Sequence, residues 1–118
     1  MRPIGISIVA VLALVTGDMA CGSSIPPPTD QWAAAQASVG RAQGSGASNV
    51  PDANLHLQFA TEDLQRCRQL MNKDNRRAGG ACALANSEAE LATDLARQAS
   101  AQSEALKAQA DLQNASGR

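Results

Sequence analysis

The strongest constraint in this chain is a run of small residues that recurs at three- and four-residue steps. Ala78, Cys82, Ala85, Ala89, Ala92, Ala96, Ala99, Ser103, Leu106 and Ala110 hold that alternation for several heptads, which keeps one stripe of a helix turned toward a partner helix. Side chains this small allow helix axes to approach to about 8–10 Å. Upstream, Leu57, Ala60, Leu64, Cys67 and Met71 repeat the alternation, with Leu70 beside them. Between the two runs lies Asn72-Lys73-Asp74-Asn75, a turn by composition. Pro51 suits the first turn of a helix, where its missing N–H is not needed, and Ser48 or Asn49 is placed to cap it. The stretch from Pro51 to Leu112 therefore reads as two helices folded back on each other.

A shorter helix precedes them. Thr29 or Asp30 can cap its start, and Trp32, Ala35, Val39 and Ala42 fall on one face. Gly44 to Asn49 reads as a flexible turn. Leu84, Leu91 and Leu95 flank the alanine seam as a second apolar edge, expected to be covered by this first helix. The expected fold is all-α, a three-helix up-down-up bundle or a helical hairpin with a short covering helix, the third helix longest. The expected organisation is a signal peptide at 1–20, a lipidated tether at 21–28, the helical domain at 29–112 and a disordered tail at 113–118.

Folding the hairpin about Asp74-Asn75 sets Cys67 opposite Cys82 and Pro51 opposite Gln98. With Cα atoms about 2.3 Å off each axis, facing Cα atoms come to about 3.5–5.5 Å, overlapping the disulfide window of about 4.4–6.8 Å. A competing register arises from Gly79-Gly80, because each glycine costs a helix about 1 kcal/mol. A third helix starting near Ala81 would turn Cys82 toward Met71 or Asn72. In the first register, with Pro51 opposite Gln98, the end of the third helix outruns the second, and Ala99, Ser103, Leu106 and Ala110 are expected to fray or to pair with another chain. The first helix, lying between the Pro51 level and the turn, is not expected to reach them.

The 44% hydrophobic content is mostly alanine, while aromatic residues make up 2%. Alanine buries little area, at about 25 cal/mol per Å² removed from water, so a covalent staple would matter to such a core. The net charge of −1 gives no basic face, which argues against nucleic acid as a partner. His56 is the single histidine, and its spacing to the cysteines matches no paired zinc signature. No serine, histidine and carboxylate form a recognisable triad, and no glycine-rich loop joins a strand to a helix. Glu88, Glu90 and Asp94 read as a solvated face, and Glu62 with Arg66, Asp94 with Arg97 and Glu104 with Lys107 as surface pairs. The chain is expected to be no enzyme and to carry neither cofactor nor metal.

Met1-Arg2 followed by the apolar run Ile4 to Val15 has the form of a secretory signal. As a helix it would reach about 18 Å, short of the roughly 30 Å hydrocarbon core. Thr16-Gly17-Asp18-Met19-Ala20-Cys21-Gly22-Ser23-Ser24 then resembles the lipobox region of bacterial lipoproteins, with Ala20 and Cys21 matching the pattern. That resemblance implies a lipid on Cys21, and Gly22 after it resembles the outer-membrane sorting pattern. Asp18 stands where such proteins usually carry leucine, and cleavage after Gly17 without lipidation is the alternative. If Cys21 takes the lipid, Cys67 and Cys82 remain as a pair, for which a disulfide is the default in an oxidising compartment and two buried thiols the other reading. Ile25-Pro26-Pro27-Pro28 is a short stiff spacer.

The whole layout, with Asn49-Val50-Pro51 entering the second helix and a long alanine-rich helix after the polar turn, resembles an uncharacterised family of small bacterial envelope lipoproteins, some fused to OmpA-like domains. The resemblance covers roughly Trp32 to Leu112. It implies a non-enzymatic structural or adaptor domain on the outer membrane, facing the periplasm. Its expected partners are the membrane through the lipid, and an envelope protein, the cell wall or another copy through the third helix. A soluble periplasmic binding or chaperone-like module is the alternative.

Overall fold

In a computed structural model, which describes residues 24–117, the chain forms three helices: α1 (Thr29–Gly44), α2 (Pro51–Leu70) and α3 (Asn75–Ser116). No strand is present among the described residues. The fold is all-α, with α3 the longest helix at 42 residues. Residues 1–23, with the expected signal peptide and Cys21, lie outside the described part.

The core is built from the predicted seam. Ala78, Cys82, Ala85, Ala89, Ala92 and Ala96 of α3 are buried against Ala53, Leu57, Ala60 and Cys67 of α2. Val39 and Ala42 of α1 and Ala47 of the connection join that core. At the turn end, Trp32 of α1 packs with Leu70 and Met71 against Cys67, Ala78, Ala81 and Cys82.

Asn72, at φ 66°, takes the left-handed conformation that asparagine tolerates, and the chain reverses there. Its N–H is accepted by Asn75 Oδ1 at 2.8 Å. The Asp74 carboxylate then caps α3 by accepting from the Arg77 N–H at 3.1 Å. With that cap α3 starts at Asn75, and Gly79 and Gly80 lie inside the helix. The competing start near Ala81 is thereby corrected.

Several local expectations change. Neither Thr29 nor Asp30 caps α1; Pro28 occupies that position without a side-chain bond, and the Thr29 N–H is accepted by the Pro27 carbonyl at 2.9 Å. Val50, rather than Ser48 or Asn49, precedes α2, because residues 47–49 close into a single 3₁₀ turn with Ala47 buried inside it. This connection is thus a packed corner, entered through Gly46 at φ 82°. At the other end α3 continues past Leu112 to Ser116, since no helix breaker precedes Gly117. Residues 113–116 of the expected tail are therefore helical.

α1 runs parallel to α3, as the expected up-down-up order requires. Its first residues lie by Asn75 and Gly79, and its last, Gly44 and Ser45, share a shallow groove with Arg97 and Ala101. α1 also takes the flank of the seam away from the leucines: the buried Ser38 donates to Asn86 Oδ1 at 2.6 Å. Leu84 and Leu91 consequently stay 54% and 43% exposed, contrary to the expectation that α1 covers them.

Candidate interaction surfaces

Cys67 and Cys82 face each other at disulfide distance, with Cα atoms 5.2 Å apart and both residues fully buried. They sit within about two turns of the chain reversal on either helix, and the Trp32 side chain packs against them. The indole Nε1–H is buried without a hydrogen-bond acceptor among the described residues. With both residues fully buried, the geometry is that of a staple inside the fold.

The segment leading into the domain is held against the start of α3. Asn75 Nδ2 donates to the Ile25 carbonyl at 2.6 Å. One turn later, Gly79 leaves space for Gln31 and Pro28; a Cβ there would stand 3.0 Å from Gln31 Oε1. The chain therefore enters the bundle at the turn end, and the C-terminal end of α3 lies at the far end.

Polar side chains fasten α1. Arg41 donates to Ser38 Oγ at 2.6 Å, Ser38 donates to Asn86, and Asn86 donates to Glu90 Oε1 at 3.0 Å. Across the other flank, His56 Nδ1 of α2 lies 2.6 Å from Glu88 Oε2 of α3, and its ring meets Phe59 edge-on at 6.2 Å. Glu88, expected on a solvated face, and His56 are both half-buried and join two helices. Arg66 pairs with Asp63 at 2.7 Å instead of with Glu62. Around His56 and Glu88 lie Leu55 and Phe59 of α2 and Leu84 and Leu91 of α3, all more than 40% exposed.

The third surface is the end of α3. Every residue from 100 to 117 is exposed, and Leu106 is 67% exposed. Ala99, Ser103, Leu106 and Ala110 share one open face with Gln102 and Lys107. Among the described residues, no three His, Cys, Asp or Glu side chains converge as metal ligands, and no helix is long and apolar enough to cross a membrane.

The sequence pattern of a domain of unknown function, DUF4398, matches residues 30–115. That span runs from the first turn of α1 almost to the end of α3. No curated protein and no solved structure matches the chain.

Proposed function

The chain belongs to the DUF4398 family, and from that premise we propose that it is a non-enzymatic structural or adaptor domain of the bacterial envelope, carried by a lipid on Cys21. The observation that supports an adaptor role best is the uncovered length of α3, a free helix end continuous with the part of α3 packed in the bundle. The entry of the chain beside Asn75 supports the orientation: a lipid anchor would sit at the turn end, with the free helix pointing away from it. At about 1.5 Å per residue, 42 helical residues reach roughly 60 Å from that end. The lipobox-like Ala20-Cys21-Gly22 supports outer-membrane attachment facing the periplasm, and the stapled cysteines suit an oxidising compartment.

Metabolic labelling with a fatty acid tests the anchor, and recovery of envelope partners on the full chain tests the adaptor role. Label on the wild-type chain, lost in Cys21→Ala together with membrane association, is the expected result. Asp18 favours the soluble periplasmic alternative, for which an unlabelled chain released with the periplasmic fraction would speak.

A further inference from the structure

Two surfaces are left without a partner, the Leu55-Phe59-Leu84-Leu91 flank of the hairpin and the free end of α3, and one residue pattern joins them. On a helix of 3.6 residues per turn, Leu84, Glu88, Leu91, Leu95, Ala99, Gln102 and Leu106 fall within about 80° of one another, forming a single stripe that is exposed at Leu84, Leu91, Gln102 and Leu106 and half-buried at Glu88, Ala99 and Leu95, the last packed on one side against its own core. Their spacing is four, three, four, then four, three, four. Leu84, Leu95 and Leu106 are thus separated by two successive eleven-residue periods, and a period of about 3.67 residues per turn stays nearly straight along a helix. The pattern reads the same in both directions about Leu95.

From this symmetry we infer that α3 is the core of an antiparallel homodimer, two copies pairing along this stripe with their two-fold axis at Leu95. A two-fold interface must be self-complementary, each surface meeting its own reverse. Here Leu84 meets Leu106 of the second copy, Leu91 meets Ala99 and Glu88 meets Gln102. Size alternates suitably: the small Ala99 faces Leu91, and the larger Leu106 faces Leu84, which is 54% exposed. The stripe carries one ionisable residue, Glu88, already bonded by His56 of its own chain, so pairing brings no unpartnered carboxylate into the contact. Each copy lays its free helix end along the open flank of the other, and both uncovered surfaces close together.

The stripe is about 33 Å long and one helix wide, which belongs to the small, concentration-dependent class of interface. The two turn ends, where the chain enters each bundle, then stand roughly 60 Å apart at opposite ends of the pair. The inference goes beyond the adaptor reading and holds with or without a lipid on Cys21.

Sedimentation of the full Cys21→Ser chain in mild detergent, from low micromolar to several hundred micromolar, is the test. Wild type should pass from monomer to dimer. Leu106→Glu should weaken association at least tenfold while the circular dichroism of the bundle is kept, because Leu106 lies outside the core. Ala108→Glu, on the opposite face, should leave association unchanged. Leu84→Cys mixed with Leu106→Cys should cross-link, whereas neither variant alone should. A monomer across the whole range, a Leu106→Glu chain that still dimerises, or cross-links within a single variant would overturn the inference.

Discussion

A Cβ added at Gly79 would lie 3.0 Å from Gln31 Oε1, whereas one added at Gly80 would meet nothing within 4 Å. The two neighbours therefore answer differently to the same change. Gly80→Ala should raise stability by about 0.5–1 kcal/mol, the usual helix-interior gain, because nothing opposes it. Gly79→Ala should gain less, since the Gln31 amide must shift aside. Urea unfolding of both variants separates them, and equal gains would show that the close approach of α1 and α3 carries no weight. Cys67 and Cys82 offer a larger effect at the same scale. Closing a loop over a sequence separation of 15 should stabilise the fold by about 3 kcal/mol. Non-reducing mass spectrometry should find one internal bond, and Cys67→Ser with Cys82→Ser should lower stability by about that amount. Two free thiols under oxidising conditions would remove this account of its stability.

Between elements, α2 and α3 are joined by a repeated seam, while α1 adds Ala35, Val39 and Ala42 to the core together with one buried hydroxyl, that of Ser38. Ser38→Ala removes the donor to Asn86 and the acceptor for Arg41. Both former partners can still reach water, so the expected loss is about 1 kcal/mol, measurable by thermal unfolding. This contrast explains what was legible beforehand. The three-and-four alternation recorded the α2–α3 seam, the position of the turn and the facing of Cys67 with Cys82, because packing of small residues imposes that period along the chain. The flank taken by α1 left no such record. Leu84, Leu91 and Leu95 favoured one side by hydrophobicity, and the polar pair Ser38 and Asn86 determined the other. In a linear pattern a buried serine bonded across helices looks the same as a solvated one. His56 and Glu88 escaped for the same reason: each is an ordinary polar residue until the hairpin sets them side by side.

For the whole molecule, folding and contact with a partner occupy different lengths of the same helix. The buried residues of α3 end at Ala96, and the exposed face begins within the next turn. An isolated helix of this length, fewer than twenty residues without tertiary support, is marginal in water, so its local opening free energy is low compared with that of the bundle. In dilute solution the amides around Leu106 should exchange quickly while those from Ala85 to Ala92 stay protected. A chain ending at Gln98 should keep the unfolding midpoint of the bundle, because no core residue is lost, yet it should recover no envelope partner and should remain monomeric at every concentration. Loss of the bundle on truncation would place part of the stability in the free end. Strong protection of Leu106 in a dilute monomer would mean that this segment is already covered by its own chain, leaving no open helix for an adaptor to offer.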